Sequence, residues 1–213
     1  MQIQSKSDLK MRDDQAMCNY RTATIQRKTN ETDIEITVNL DGTGKGEVST
    51  GIGFFDHMLL SFAKHGLFDL NVKVRGDLNV DCHHTIEDTG IVLGMAIEKA
   101  LGDKKGIKRY GSCILPMDEA LVLTAVDLSG RPYLVFDCDY TAPMIGEYDT
   151  QMTREFFYAV TYNAKMNLHI KKIHGINDHH TVEACYKSFA KSLMEAVSVN
   201  PRITDVLSTK GTI

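Results

Sequence analysis

From Tyr20 onward the apolar residues fall into two alternating rhythms. Period-two runs at Ala23–Lys28 and Ile34-Glu35-Ile36-Thr37-Val38 predict strands. Asp41-Gly42-Thr43-Gly44, lying between two such runs, predicts a hairpin turn into a third strand around Gly46–Thr50. Phe54, Phe55, Met58, Leu59 and Phe62 then recur at helical spacing up to His65-Gly66, where the glycine offers a stop. Asp69–Arg75 alternates again. His83 to Leu101 is a largely apolar helical segment ending at Gly102, so the order is βββαβα.

The second half repeats that order. Strands are predicted near Gly111–Leu115, Leu121–Leu128 and Tyr133–Cys138, then a helix from about Gln151 to Lys165, a strand at Leu168–Ile173 and a helix from about His180 to Val197. Sliding the chain by 96 residues (179 minus 83) aligns Asp81-Cys-His-His-Thr-Ile-Glu-Asp88 with Asn177-Asp-His-His-Thr-Val-Glu-Ala184, each opening the last helix of its half. A duplicated unit with one apolar face must bury that face against its twin. The pattern therefore predicts an α+β fold, an α/β two-layer repeat of two tandem βββαβα halves. Each half would be a four-stranded mixed sheet with two helices, the helices packed between the two sheets. The expected division is a disordered N-terminal extension at 1–19, a first half-repeat at 20–105, a second at 106–200 and a C-terminal tail at 201–213.

The repeated motif is where chemistry concentrates. With eight histidines in 213 residues, one His-His-x-x-Glu arises by chance roughly one time in a hundred and two about one time in ten thousand. On a helix His83 and Glu87 share a face while His84 diverges by about 100°, and the same holds for His179, Glu183 and His180. Adjacent histidines are thus expected to serve different metals. Four imidazoles and two carboxylates suit Mn, Fe or Zn better than Mg or Ca. A single His-His pair at a helix start would read equally well as solvated polar residues; two copies in register do not. His57, alone on an otherwise apolar helix face, is by itself more often a hydrogen-bonded core residue than a ligand.

Composition removes other classes. Lys and Arg total 24 against 28 Asp and Glu, a formal charge of −4 without long runs of one sign, so neither a nucleic-acid surface nor a polybasic membrane anchor is expected. At 43% apolar content the chain can bury a core without staples. Its five cysteines form no C-x-x-C pair, which argues against a disulfide framework or zinc ribbon and for a reducing compartment. No apolar stretch is long enough to span a bilayer, and the first eighteen residues hold no apolar signal core, so a cytoplasmic location is expected.

Taken together, Asp41-Gly42-Thr43-Gly44, Phe55-Asp56-His57-Met58, His83-His84-x-x-Glu87-Asp88, Ser129-Gly130-Arg131-Pro132-Tyr133, His179-His180-x-x-Glu183 and Ser208-Thr209-Lys210-Gly211 resemble the imidazoleglycerol-phosphate dehydratase family, over about 21–211. The resemblance implies a ribosomal protein S5 domain 2-like fold and the loss of water from imidazole glycerol phosphate to give imidazole acetol phosphate in histidine biosynthesis. It implies two Mn2+ ions per active site, with Fe2+ or Zn2+ as substitutes. The ligands carried over are His57, His83, His84, Glu87, His179, His180 and Glu183, with Asp56 orienting His57. Glu155, before Phe156-Phe157, stands where many relatives have histidine; it is expected to complete one site as a harder ligand, the alternative being a surface glutamate. Phosphate contact falls to Arg109, Arg131, Ser208, Thr209 and Lys210, with Lys187 near the substrate. Glu31 is implied in proton transfer and Glu183 near the reacting atoms; Glu87 and Lys187 complete the catalytic set. A homo-oligomer of 24 chains built from trimers, with metal sites at subunit interfaces, is implied as well.

The chemistry explains the unusual pairing of sites. The proton to be lost sits on a carbon attached to the imidazole, with no carbonyl beside it, so the ring must be the electron sink, and cations on both ring nitrogens would favour that role. Two rival readings remain at this stage. A dinuclear metallohydrolase acting on a phosphorylated small molecule would release inorganic phosphate, and a metal-templated assembly without activity would form no product.

Overall fold

The computed structural model describes residues 21–213; the predicted N-terminal extension lies outside the described residues. Four strands open the chain, β1 (Thr22–Lys28), β2 (Thr32–Asn39), β3 (Gly46–Ser49) and β4 (Asp69–Gly76), with helix α1 (Gly53–Gly66) between β3 and β4 and helix α2 (His83–Leu101) after β4. The second half brings β5 (Tyr110–Met117), β6 (Ala120–Asp127), β7 (Tyr133–Asp137), helix α3 (Met152–Asn163), β10 (Asn167–His174) and helix α4 (Asp178–Val197). Ahead of α3 stands a small hairpin that the sequence pattern did not announce, β8 (Met144–Ile145) paired with β9 (Tyr148–Asp149).

The sheets run β1-β2-β4-β3 and β5-β6-β10-β7, the same order in each half, with one parallel pair apiece, β3 with β4 and β7 with β10. Alternation sets their inner faces: Ile34, Ile36 and Val38 are buried while Asp33, Glu35 and Thr37 turn outward. The four helices lie between the sheets. Each pairs with a helix of the other half, α1 with α4 and α2 with α3. At the second pairing Gly90 and Gly94 bring the backbones into contact. A Cβ on Gly90 would stand 2.8 Å from the Phe156 carbonyl oxygen, and one on Gly94 2.7 Å from that of Val160. Phe55, Phe156, Phe157, Tyr186 and Phe189 fill the centre, fully buried and in aromatic contact.

Two local expectations are corrected. Asp41–Gly44 is not a hairpin turn, because β4 lies between β2 and β3. The segment instead carries the chain around β4, pinned by Asp69 Oδ1, which accepts the backbone N–H groups of Thr43 (2.8 Å) and Lys45 (3.0 Å). The hairpins of the two four-stranded sheets lie elsewhere, at Lys28–Thr32 and at the two-residue turn between Met117 and Ala120. Helix α1 runs through Gly66, and the left-handed cap falls on Leu67 (φ 56°), with the Phe68 N–H bonded to the Ala63 carbonyl. No helix of the described residues is long and apolar enough to cross a membrane.

Candidate metal centre

The cross-half pairing of α1 with α4 is what makes a site. It sets His57, on the second turn of α1, against the first turn of α4, where His179 and Glu183 share a face as i and i+4. His179 Nε2 is 3.4 Å from Glu183 Oε2 and His57 Nε2 is 3.8 Å from Glu183 Oε1. Among the described residues these three form the one group of His, Cys or carboxylate donors gathered within 4.8 Å of each other. Donors sharing one ion at about 2.1 Å lie no more than about 4.2 Å apart, so a small closure would seat a cation, and two imidazoles with a carboxylate suit a transition metal.

Local sequence fixes this geometry. Asn177 caps α4, its Oδ1 accepting the N–H groups of His179 (2.9 Å) and His180 (3.4 Å). The buried Asp178 takes Thr141 and Ala142 N–H groups, tying the loop after β7 to the helix start. Glu183 is nearly buried, and burial alone would raise its pKa. The hydrogen bond and charge of Lys187, whose Nζ is 2.6 Å from Oε1, together with His57 and His179, outweigh that and hold it below the usual carboxylate range. Lys187 thus reaches the trio. Asp56 Oδ1 accepts the Thr50 N–H (2.8 Å) and hydroxyl (2.6 Å), which fasten the turn before α1, and no hydrogen bond joins Asp56 to His57 among the described residues.

The twin motif opens α2 in the same way, with His83 Nε2 3.3 Å from Glu87 Oε2. Its cross-half partner is α3, which carries Glu155. Here Arg154 Nη1 holds Glu155 Oε1 at 2.7 Å, on the rim of a cleft of about 530 Å³ lined also by Cys138 and Tyr140, and no third donor joins His83 and Glu87 among the described residues. The structure therefore assembles one three-donor group and leaves its twin with two.

The second histidine of each motif diverges as its helical phase requires. His84 Nδ1 is 3.0 Å from Asp77 Oδ2 and its Nε2 3.8 Å from Glu31 Oε1. His180 Nδ1 is 2.7 Å from Glu119 Oε2 and its Nε2 3.6 Å from Asp118 Oδ2. The hydrogen bond that His84 makes to Asp77 raises its pKa, and the one that His180 makes to Glu119 does the same there. Glu31 is set by its turn, where Thr29 Oγ1 accepts its N–H at 3.1 Å. Buried Asp88 anchors the hairpin to α2 through Arg27 (2.8 Å) and Thr32. Asp77, Asp118 and Glu119 escaped the sequence reading, which quoted Asp88 only as part of the motif and gave it no task. The one available signal was the repeat: Glu31 directly precedes β2 and Glu119 directly precedes β6, 88 residues on.

The predicted phosphate residues gather at another corner. Arg109, Ser208 and Thr209 line one shallow cleft, the Lys210 N–H bonds to Ser208 Oγ, and Gly130, beside Arg131, packs on the terminal Ile213. Arg109 is buried, its guanidinium donating to Asp127 Oδ1 (2.7 Å) and Oδ2 (3.2 Å) and to the Leu207 carbonyl (2.7 Å), so it also anchors the tail; the Asp127 hydrogen bond raises its pKa further. Its backbone N–H bonds to the Ala196 carbonyl, near the far end of α4. Thirteen residues of helix separate Ala196 from Glu183, about 20 Å at 1.5 Å per residue. Within one chain, the corner that holds Arg109 therefore lies about 20 Å along α4 from the metal trio.

Comparison with known proteins identifies the family. A family model described as imidazoleglycerol-phosphate dehydratase matches residues 50–193. The enzyme of that name from Lachnoclostridium phytofermentans is 63% identical over 193 residues, covering 91% of this chain and 98% of that one. Its counterpart from Acetivibrio thermocellus is 58% identical over 187 residues, covering 88% and 96%. The crystal structure of imidazoleglycerol-phosphate dehydratase from Staphylococcus aureus superposes with a TM-score of 0.77 at 38% identity, covering 84% of this chain and 99% of that one. The chain belongs to the imidazoleglycerol-phosphate dehydratase family, metal-dependent hydro-lyases of histidine biosynthesis.

Proposed function

We propose that this chain dehydrates imidazole glycerol phosphate to imidazole acetol phosphate with two Mn2+ ions per active site, and that each site is completed by residues of neighbouring copies. The observation that carries the reading is the trio of His57, His179 and Glu183, whose donors come from both halves of the repeat and lie within 4.8 Å. His83 and Glu87, with Glu155 once released from Arg154, form the matching set. His84 and His180 point their Nε2 atoms elsewhere and serve ions shared with other chains. When bound, the ions supply Lewis acidity to the imidazole ring, with Fe2+ or Zn2+ able to occupy the same donors.

The chain's own groups do the rest. Arg131, Ser208, Thr209, Lys210 and Arg109 grip the phosphate dianion through charge-assisted hydrogen bonds and fix the length of the substrate against the metals. Glu31, exposed on its hairpin at His84, moves a proton at the reacting carbon or the leaving hydroxyl. Lys187 holds Glu183 anionic beside the reacting atoms. Because about 20 Å of helix separates these corners within one chain, a substrate far shorter than that must take its phosphate contacts and its metals from different copies.

The outer sheet faces support such an assembly, a 24-mer of trimers. The first sheet turns Gln26, Lys28, Asp33, Glu35 and Lys73 outward, while its twin exposes Tyr110, Ile114, Tyr133 and Val135 on the same side. The reading places the enzyme in the cytoplasm, with no nucleic-acid or membrane partner. Anaerobic reconstitution with Mn2+ followed by assay for imidazole acetol phosphate tests it. Product formation that is lost on chelation and regained with Mn2+ is expected. Inorganic phosphate in place of the dehydrated product would instead identify a metallohydrolase, and metal uptake with no turnover a structural assembly.

A further inference from the structure

The duplication gives each half a hairpin carboxylate at the second histidine of its motif, yet the two carboxylates meet different ring nitrogens. In the first half Glu31 faces the Nε2 side of His84 at 3.8 Å, and Nδ1 is taken by Asp77 from the loop before α2. In the second half Glu119, which occupies the place of Glu31 in the repeat, meets Nδ1 of His180 at 2.7 Å, and Asp118 stands on the Nε2 side at 3.6 Å.

Glu119 has no freedom to act otherwise. Its Oε1 accepts the N–H groups of Asn177 (2.7 Å) and Ile176 (3.3 Å), so both oxygens are committed to the start of α4. The turn that presents it is the shortest hairpin connection. Met117 pairs with Ala120 across two residues, and Asp118 adopts the left-handed conformation (φ 49°) that such a turn requires. A carboxylate at Nδ1 fixes the proton there and leaves the lone pair on Nε2, the pattern that orients a metal-bound imidazole and raises its basicity. The first half secures its hairpin by Asp88, Arg27 and Thr32; at the place of Asp88 the second half has Ala184. There Glu119 ties the hairpin to the start of the helix through both of its oxygens.

We propose that Glu119 is a positioning residue for His180: the counterpart of the proton-transfer glutamate of the first half, turned by the duplication into the group that holds an imidazole ready for its metal. This rests on the reading of His180 as a ligand. It deepens that reading by giving the two hairpin glutamates unequal tasks: Asp77 does for His84 what Glu119 does for His180, while Glu31, unlike Glu119, stays on the Nε2 side of its histidine.

The test is Mn2+ titration of metal-stripped full-length protein, followed by the EPR signal of free Mn2+, for wild type, His180→Ala, Glu119→Ala and Glu119→Gln. Wild type should take up two ions per chain, and His180→Ala should weaken one of them. Glu119→Ala should weaken that same ion by 10- to 100-fold while the other binds as in wild type. Glu119→Gln retains an oxygen acceptor for the Nδ1 proton and should recover part of the loss, which separates orientation of the ring from general damage. Far-ultraviolet circular dichroism should show α4 intact in each variant. Binding of both ions by Glu119→Ala within twofold of wild type, while His180→Ala is impaired, overturns the proposal and leaves the ligand reading standing. Unimpaired binding in His180→Ala overturns the ligand reading itself. Equal weakening of both ions in Glu119→Ala, unrelieved in Glu119→Gln, marks Glu119 as a helix-start brace only and also overturns the proposal.

Discussion

Glu31 and Glu119 show how far one residue type diverges once packing assigns it. Glu31 sits on an exposed turn with its side chain about half open, near an imidazole but bound to nothing else. Its change to Gln keeps shape and removes the titrating proton. Glu31→Gln should retain its Mn2+ content and particle size, measured by elemental analysis and sedimentation, while turnover falls roughly a hundredfold or more; near-normal turnover would remove Glu31 from the mechanism. Glu119, by contrast, is held at about 2, first by the His180 hydrogen bond and then by that from the Asn177 N–H, against an ordinary value of 4.5. A carboxyl with a depressed folded-state pKa binds its proton more readily in the unfolded chain, so its contribution is present above about 4.5 and disappears as pH falls towards about 2. In metal-free protein the melting temperature of Glu119→Gln should lie below that of wild type at pH 6, and the two should converge near pH 2. A gap that is constant across this range would show that the charge contributes nothing.

At the scale of elements, the pairing of helices across halves does more than fill the core. The α1–α4 pair unites His57 with His179 and Glu183, and the α2–α3 pair faces His83 and Glu87 towards the helix that carries Glu155. The second pair is set by Gly90 and Gly94, where helix backbones touch. Replacing Gly94 with Ala would ordinarily favour a helix by about 1 kcal/mol. Here the new methyl would stand 2.7 Å from both the Val160 carbonyl oxygen and the Asn163 Cβ, and backbone cannot yield as a flexible side chain does. Gly94→Ala should therefore destabilise the chain by about 1–3 kcal/mol in urea unfolding. A stabilised variant would mean that α2 and α3 separate more easily than their contact implies. The helix starts themselves were legible in sequence, because His, His and Glu at fixed spacing leave only one helical phase in which His and Glu coincide. The partner of each start was not. Which helix lies beside which is decided by the fit of small residues and aromatic rings far apart along the chain, as between Gly90 and Phe156.

At the scale of the molecule, the proposed sharing of the site between copies rests on the distance of about 20 Å between the metal trio and the corner that holds Arg109. Mixing two inactive variants is the direct check. His179→Ala lacks a metal ligand and Arg131→Ala a phosphate contact, so assemblies reconstituted from an equal mixture should recover about a quarter of wild-type activity, the share of sites drawing both parts from intact chains. Each parent alone should stay inactive, and no recovery in verified mixed assemblies would place both parts of the site on one chain. Metal removal should also reduce the particle to trimers, seen by sedimentation or light scattering; an unchanged mass after verified metal loss would contradict metal sites shared between copies.

The residues alone determined the βββαβα repeat, the strand and helix phases and the motif that carries the chemistry, because period, turn residues and duplication are properties of neighbours along the chain. Tertiary structure decided the rest. It placed β4 between β2 and β3, so Asp41–Gly44 became a crossing loop; it bonded Asp56 to Thr50; and it left Glu155 with Arg154 while gathering His57, His179 and Glu183. It also gave Glu119 its task, through a hydrogen bond spanning 61 residues. Each of these outcomes depends on which surfaces meet across long loops, a matter of shape and burial to which local pattern is blind.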